Sequence, residues 1–236
     1  MPGKPDIKTV AIIPAAGAGV RMGADKAKQF LDIQDRPVLA LTLAKFEESP
    51  VIDSVFLVVP AKDIDYCRKE IVDRFHLGKV TKIVAGGKRR QDSVRHGVEA
   101  TNGEFQRILI HDGVRPFIDL EVIETVVTAS DKSRAVILGL PARETVKEVD
   151  ADGLVVKTHD RSSVWLIQTP QVFRYDDIIA AHKKAVSENW EDITDDALLM
   201  EKMGIPVKVI PGKEDNIKIT TPGDLEFARS VLSGKK

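Results

Sequence analysis

The chain has 236 residues and a single cysteine, Cys67, so no internal disulfide can brace it and a reducing compartment is the expected setting. The surrounding YCRKEIV reads as helical, which makes Cys67 a packed thiol rather than a nucleophile. An excess of one charge is also missing: Lys and Arg number 35 against 36 Asp and Glu, for a formal net charge of -1. No general field draws in nucleic acid or an anionic membrane, so any anion site must be local. No apolar run approaches the length of a membrane span, and the opening MPGKPDIK enters a short apolar run without the h-region of a signal peptide. The protein is expected to be cytoplasmic, with neither nucleic acid nor membrane as partner. There is no internal repeat, low-complexity tract or long linker, and residues 1–236 are expected to form one domain.

What is present is alternation. Short β-rich apolar runs recur at TVAIIPA, SVFLVVP, KIVAG, RILIHD and AVILGL, separated by helical stretches such as PVLALTLAKFEES and DIDYCRKEIVDRF. Runs apolar on both faces suit strands covered by helices on either side, so the fold class is α/β, a doubly wound and mainly parallel sheet. Ligands of such sheets bind at the carboxyl ends of the strands. After Leu140 the alternation breaks. ETVKEV and LVVKTH flank Asp150-Ala151-Asp152-Gly153, where Asp-Gly favours a tight turn, and a β-hairpin arm is expected within residues 141–168. A lone hairpin buries little of itself, so it is expected to pack on a second copy of the chain as a homodimer. Helices are expected from Asp177 to Ser187 and from Asp195 to Met203, then a strand at PVKVIPG and a last helix opened by Thr221, Pro222 and Asp224.

The turn Pro14-Ala15-Ala16-Gly17-Ala18-Gly19-Val20-Arg21-Met22-Gly23 directly follows the first strand. Its small residues let backbone N–H groups approach an anion, and Arg21 and Lys28 can supply charge to phosphate oxygens. No G-x-x-x-x-G-K-[ST] occurs, and the glycine spacing is not G-x-G-x-x-G, so a P-loop and a dinucleotide-dependent oxidoreductase are both disfavoured. At the end of the fourth strand lies His111-Asp112-Gly113-Val114-Arg115, in which Asp112 is the metal-ligand candidate. Mg²⁺ needs only one or two carboxylates when phosphates and water complete its shell. His111 is read as a packed imidazole.

The run AAGAGVRMGADKAKQFL resembles the A-A-G-x-G-x-R-M and P-K-Q-[FY]-L segments of nucleotidyltransferases, and within them the 2-C-methyl-D-erythritol 4-phosphate cytidylyltransferase family; Ala27 stands where Pro is usual. The resemblance implies a Rossmann-like nucleotidyltransferase fold. It also implies attack of a polyol phosphate on the α-phosphorus of CTP with loss of pyrophosphate, for isoprenoid precursor synthesis. Arg21 and Lys28 then stabilise the triphosphate, with Ala15, Ala16, Gly17 and Gly19 around it. GGKRRQDSV resembles the cytidine-recognition segment and puts Gly86, Gly87, Arg90 and Ser93 at the nucleotide. HDGVRPF resembles the H-D-x-x-R-P motif and gives Asp112 both the metal, Mg²⁺ or another divalent cation, and a substrate contact, with Arg115 beside it. ARET and HDR resemble the arm segments that bring Thr145 and Arg161 to the acceptor, and QTPQVF matches T-P-Q-x-F. ITDDA reads first as a helix N-cap by Thr194 or Asp195, and the resemblance adds a substrate contact by Thr194. DNIKIT resembles the segment whose Lys, here Lys218, holds the acceptor phosphate; two-residue alternation would put Asn216, Lys218 and Thr220 on one strand face. A ribitol 5-phosphate cytidylyltransferase shares the turn and the HDxVRPF form, while the hairpin segments favour methylerythritol phosphate. A nucleotide-binding module without turnover is the reading of another class, opposed by the intact Arg21, Lys28, Asp112 and Lys218.

Overall fold

The computed structural model describes residues 7–17, 27–191 and 193–234. In chain order these run through β1 (Thr9–Pro14), a short pair β2 (Asp32–Ile33) and β3 (Arg36–Pro37), α1 (Val38–Glu48) and β4 (Ser54–Val59). A short α2 (Ile64–Tyr66) winds on as a π-helix over Cys67–Asp73, before β5 (Val80–Ala85), α3 (Arg90–Glu99), β6 (Arg107–Ile110), α4 (Leu120–Ala129) and β7 (Ala135–Pro141). The arm strands β8 (Lys147–Val149) and β9 (Val155–Thr158) precede the long β10 (Trp165–Arg174), then α5 (Tyr175–Ser187), α6 (Asp196–Lys202), β11 (Val207–Pro211) and α7 (Pro222–Ser233).

Seven strands form one sheet in the order β11-β7-β10-β6-β1-β4-β5. Pairings are parallel except for β10, which runs antiparallel to both β6 and β7. The alternating faces of β1 explain the layering: Ala11 and Ile13 pack with Leu39, Phe46 and Val126 of α1 and α4, whereas Val10 and Ile12 pack with Val94, Ile178 and Leu199 of α3, α5 and α6. A third cluster joins α7 to Ile33, Val114 and Phe117, which fastens the C-terminal helix beside the strand ends. Its start is secured by Thr221, whose hydroxyl accepts the Asp224 N–H, while Asp224 accepts the Thr221 N–H.

Cys67 is buried in the π-helix, and burial pushes its thiol up to about 12, so it is a packed and unreactive group. One motif gains a place in the sheet, and one expectation needs correction. The Gln168–Phe173 segment, singled out only as a motif, is part of a central strand that runs against its neighbours. Residues 213–220 are not a strand: Asp215 sits in a turn, and Asn216 and Ile219, three apart, are the buried positions rather than alternate ones. The physical reason is that Asn216 spends its amide on β10, donating to the Thr169 carbonyl at 2.8 Å, so the segment lies across the sheet end as a loop.

Candidate active site

Three loops meet at the carboxyl ends of β1, β5 and β6. After β1, the Ala15 N–H donates to Val58 O at 2.7 Å and extends the sheet by one residue. The turn is gripped from inside by Gln29, a buried residue of the KQF 3₁₀ turn, whose amide donates to Ala15 O at 2.8 Å and Gly17 O at 3.3 Å. Lys28 precedes it on the same turn. Gly19 and Arg21 lie outside the described residues.

The second loop, between β5 and α3, lies against the first. A Cβ on Gly86 would come within 2.5 Å of Ala16 Cβ, and one on Gly87 within 2.4 Å of Asp92 Cβ, so both positions need glycine for close approach. Ser93 accepts the Gly87 N–H at 3.1 Å and donates to Arg89 O at 3.2 Å, which shapes this loop. A cavity of about 250 Å³ opens beside the paired loops, lined by Ala15, Ala16, Gly17, Lys28, Gly87 and Ser93 among others, and also by Arg90, Asp112 and Lys218.

The third loop follows β6. His111 bridges it to β10: its ring nitrogens meet Arg115 O and Thr169 Oγ1, each at 3.1 Å. Burial holds its pKa down to about 4, so the ring is neutral at pH 7 and acts as a brace. Thr169 also accepts the Asp112 N–H at 3.1 Å, which anchors the backbone that carries this carboxylate. Three cations converge on Asp112: Lys218 Nζ at 3.0 Å, Arg90 Nε at 3.3 Å and Arg115 Nε at 3.4 Å. Burial alone would raise the carboxyl, but Arg90, Lys218 and Arg115 outweigh it and hold it well below the usual carboxylate range. Arg115 is itself tied to Asn216 O at 2.6 Å, and Arg90 to the buried Asp196 at 2.7 Å. Burial dominates at Asp196, whose carboxyl is raised despite Arg90.

A second cavity, of about 850 Å³, opens on the other side of the same cluster and shares Arg90, Asp112 and Lys218 with the first. Arg115, Gln168, Thr169 and Thr194 line it on the polar side. The helix cap beside Thr194 is Asp195, whose side chain accepts the Leu198 N–H at 3.1 Å. The structure therefore assembles Ala15, Ala16, Gly17, Lys28, Gly87, Arg90, Ser93, Asp112, Arg115, Thr194 and Lys218 around two adjoining spaces, with Gly86 packed behind Ala16. It does not bring in Thr145 or Arg161: both are exposed on the arm, where Arg161 donates to Arg143 O at 2.9 Å and Arg143 pairs with Glu214. Sequence reasoning missed the supporting roles of Gln29, Gln171, Asp196 and Asn216, although each stands inside a segment it had marked.

With this geometry in place, comparison with known proteins is decisive. The family model for IspD, 2-C-methyl-D-erythritol 4-phosphate cytidylyltransferase, matches residues 9–234. The chain belongs to that family. It is 46% identical over 225 residues to the 2-C-methyl-D-erythritol 4-phosphate cytidylyltransferase of Syntrophus aciditrophicus, covering 95% of this chain and 96% of the relative. The enzyme of the same name from Geobacter metallireducens is 45% identical over 228 residues, covering 95% and 97%. Among solved structures, the 4-diphosphocytidyl-2C-methyl-D-erythritol synthase of Anaerococcus prevotii superposes with a TM-score of 0.84 at 34% identity, covering 96% of each chain. Membership in this family makes the chain a nucleotidyltransferase with a Rossmann-like α/β fold, and the two cavities are its candidate active site. Among the described residues no helix is long and apolar enough to cross a membrane.

Proposed function

We propose that this chain transfers CMP from CTP to 2-C-methyl-D-erythritol 4-phosphate, releasing pyrophosphate and 4-diphosphocytidyl-2-C-methyl-D-erythritol. The observation that carries the reading is the meeting of two cavities at one charged cluster. The smaller, between the glycine-rich turn and the Gly86–Gly87 loop, takes the nucleotide; the larger receives the acceptor, with Lys218 and Asp112 at the junction.

Nucleotidyl transfer asks the protein for position and charge rather than for a nucleophile. Backbone N–H groups of the turn and Lys28 receive the triphosphate, and Arg21 is assigned there by its motif. Lys218 leads the acceptor phosphate toward the α-phosphorus. Arg115, buried and fixed by Asn216, keeps that junction positive. A divalent cation, Mg²⁺ in our reading, fits at Asp112. That side chain is the only carboxylate among the described residues lining the smaller cavity, and its neighbours keep it ionised. Among the described residues there is no group of three or more His, Cys, Asp or Glu to hold a metal, and a Mg²⁺ held by one carboxylate would take its remaining oxygens from phosphate and water. When bound there, the ion would neutralise charge on the triphosphate.

The arm belongs to the reading as a dimer contact. Val149, Leu154, Val155 and Val156 are each more than half exposed, an apolar arm tip with side chains on both sides of the hairpin that a second copy would cover, and a swapped arm would deliver Thr145 and Arg161 to the neighbouring acceptor cavity. A cytoplasmic setting completes the proposal and suits the lone, buried thiol of Cys67. The reading is tested with Lys218→Ala and Arg161→Lys. Both are expected to raise the KM for the acceptor while leaving CTP affinity, measured without acceptor, within a few-fold of wild type. An equal loss of CTP affinity would remove the acceptor role from these residues.

A further inference from the structure

The ion pair between Arg90 and Asp196 has no part in the chemistry above. Asp196 opens α6 and is fully buried; its Oδ2 accepts from Arg90 Nη1 at 2.7 Å, while Oδ1 has no hydrogen-bond partner among the described residues. The first turn of α6 is bolted to β10. The Gln171 amide donates to Asp195 Oδ2 at 2.7 Å, and its carbonyl accepts the Ala197 N–H at 3.2 Å. Stability alone gives little reason for such a carboxylate. A buried ion pair recovers its desolvation cost only with good geometry and satisfied lone pairs, and here one oxygen is left over. A neutral side chain of the same shape would leave Arg90 still paired to Asp112.

The two distances say what the second carboxylate does. Arg90 reaches Asp196 at 2.7 Å but Asp112 at 3.3 Å, and through Nε alone, so the guanidinium is drawn toward Asp196. We propose that Asp196 is a positioning residue that holds the Arg90 guanidinium back from full engagement of Asp112, keeping Oδ1, the oxygen that Lys218 and Arg115 leave free, available to the cation that accompanies the nucleotide triphosphate. Without the charge on Asp196 the planar fork closes on Asp112 in the bidentate form that Arg and carboxylate favour, and the cation must displace it. The inference rests on the reading of Asp112 as the Mg²⁺ ligand at the CTP cavity.

The test is Asp196→Asn in the full chain, with Asp196→Ser as a second neutral variant should Asn fail to fold. Calorimetry is expected to show CTP binding in the presence of Mg²⁺ weakened by about ten-fold, on the scale of one charge-assisted contact, while CTP binding in EDTA stays within about two-fold of wild type. The half-saturating Mg²⁺ concentration for pyrophosphate release should rise by a similar factor, and Asp196→Glu, which keeps the charge, should recover most of it. A structural role would lower the melting temperature without separating the Mg²⁺ and EDTA titrations. In an Arg90→Ala background, Asp196→Asn should add no further loss, because the residue acts through Arg90. Unchanged Mg²⁺ dependence in the neutral variants, or the same loss without Arg90, overturns the proposal. Failure of the wild type to bind CTP with Mg²⁺ would instead overturn the reading of the site.

Discussion

Asn in place of Asp112 keeps the shape of the side chain and removes the one negative charge on which Lys218, Arg90 and Arg115 converge. The cost follows from what each cation has left. The Lys218 side chain is 37% exposed and can turn to water; that of Arg90 is 29% exposed and keeps Asp196. Arg115, with a side chain only 11% exposed, keeps the Asn216 carbonyl and no counter-charge. Breaking a fully buried pair costs about 3–5 kcal/mol; with two of the three partners able to relax, ~2–3 kcal/mol is expected here. For a chain of this size that lowers the melting temperature by roughly 4–12 °C. Because the carboxyl is depressed in the folded state, its stabilising contribution is present above the ordinary carboxylate range and is lost as pH falls toward its folded pKa, a dependence the variant should lack. As the cation ligand, Asp112 should matter more to turnover: kcat is expected to fall by about 10² or more, the scale of a lost preorganised electrostatic contact. CTP binding in EDTA should not weaken, since a negative charge has left the triphosphate site. Thermal melts, pyrophosphate release and calorimetry report these separately. A variant with kcat within ten-fold of wild type and an unmoved melting temperature would mean that Asp112 neither holds the cation nor balances the three cationic side chains.

The neutral, buried His111 and His182, each held down to about 4 by burial, bind protons only when the chain unfolds; stability should therefore be complete above about pH 6.5 and decline through pH 4. His182→Gln should flatten that decline in melts taken from pH 7 to pH 4, and an unchanged slope would clear His182 of any part in it. Gln29→Leu strands the Ala15 and Gly17 carbonyls and should loosen the glycine-rich turn, raising the KM for CTP by roughly ten-fold on the scale of a lost buried hydrogen bond; normal kinetics would mean that the turn holds itself. Leu154→Lys with Val156→Lys on the exposed arm should give a folded monomer in sedimentation, whereas a wild type that is monomeric and fully active at micromolar concentration would rule out an obligatory partner.

Much of this architecture is legible in local pattern because local pattern is what physics writes there. Apolar runs with turn-forming ends appear as β1, β4, β5, β6 and β7, and the segments that carry chemistry fall just beyond β1, β5 and β6, at the carboxyl edge. Asp150 to Gly153 turns the arm between β8 and β9 as its composition suggests. Strand direction is another matter. Nothing in the periodicity of Trp165–Arg174 records that the chain returns from the arm against its neighbours; topology decides that. The alternation of Asn216, Lys218 and Thr220 misleads because the Asn216 amide finds β10 and makes a loop more favourable than a strand. The partnership of Arg90 with Asp196 spans 106 residues, and only the folded chain reveals that a segment marked as a helix cap also supplies a carboxylate to the site.

Acceptor choice identifies the reaction. With CTP and Mg²⁺ present, pyrophosphate release should be measured against 2-C-methyl-D-erythritol 4-phosphate and ribitol 5-phosphate under the same conditions. The expected result is a far higher kcat/KM for methylerythritol phosphate. A higher value with ribitol 5-phosphate, or no release with either acceptor, would contradict it.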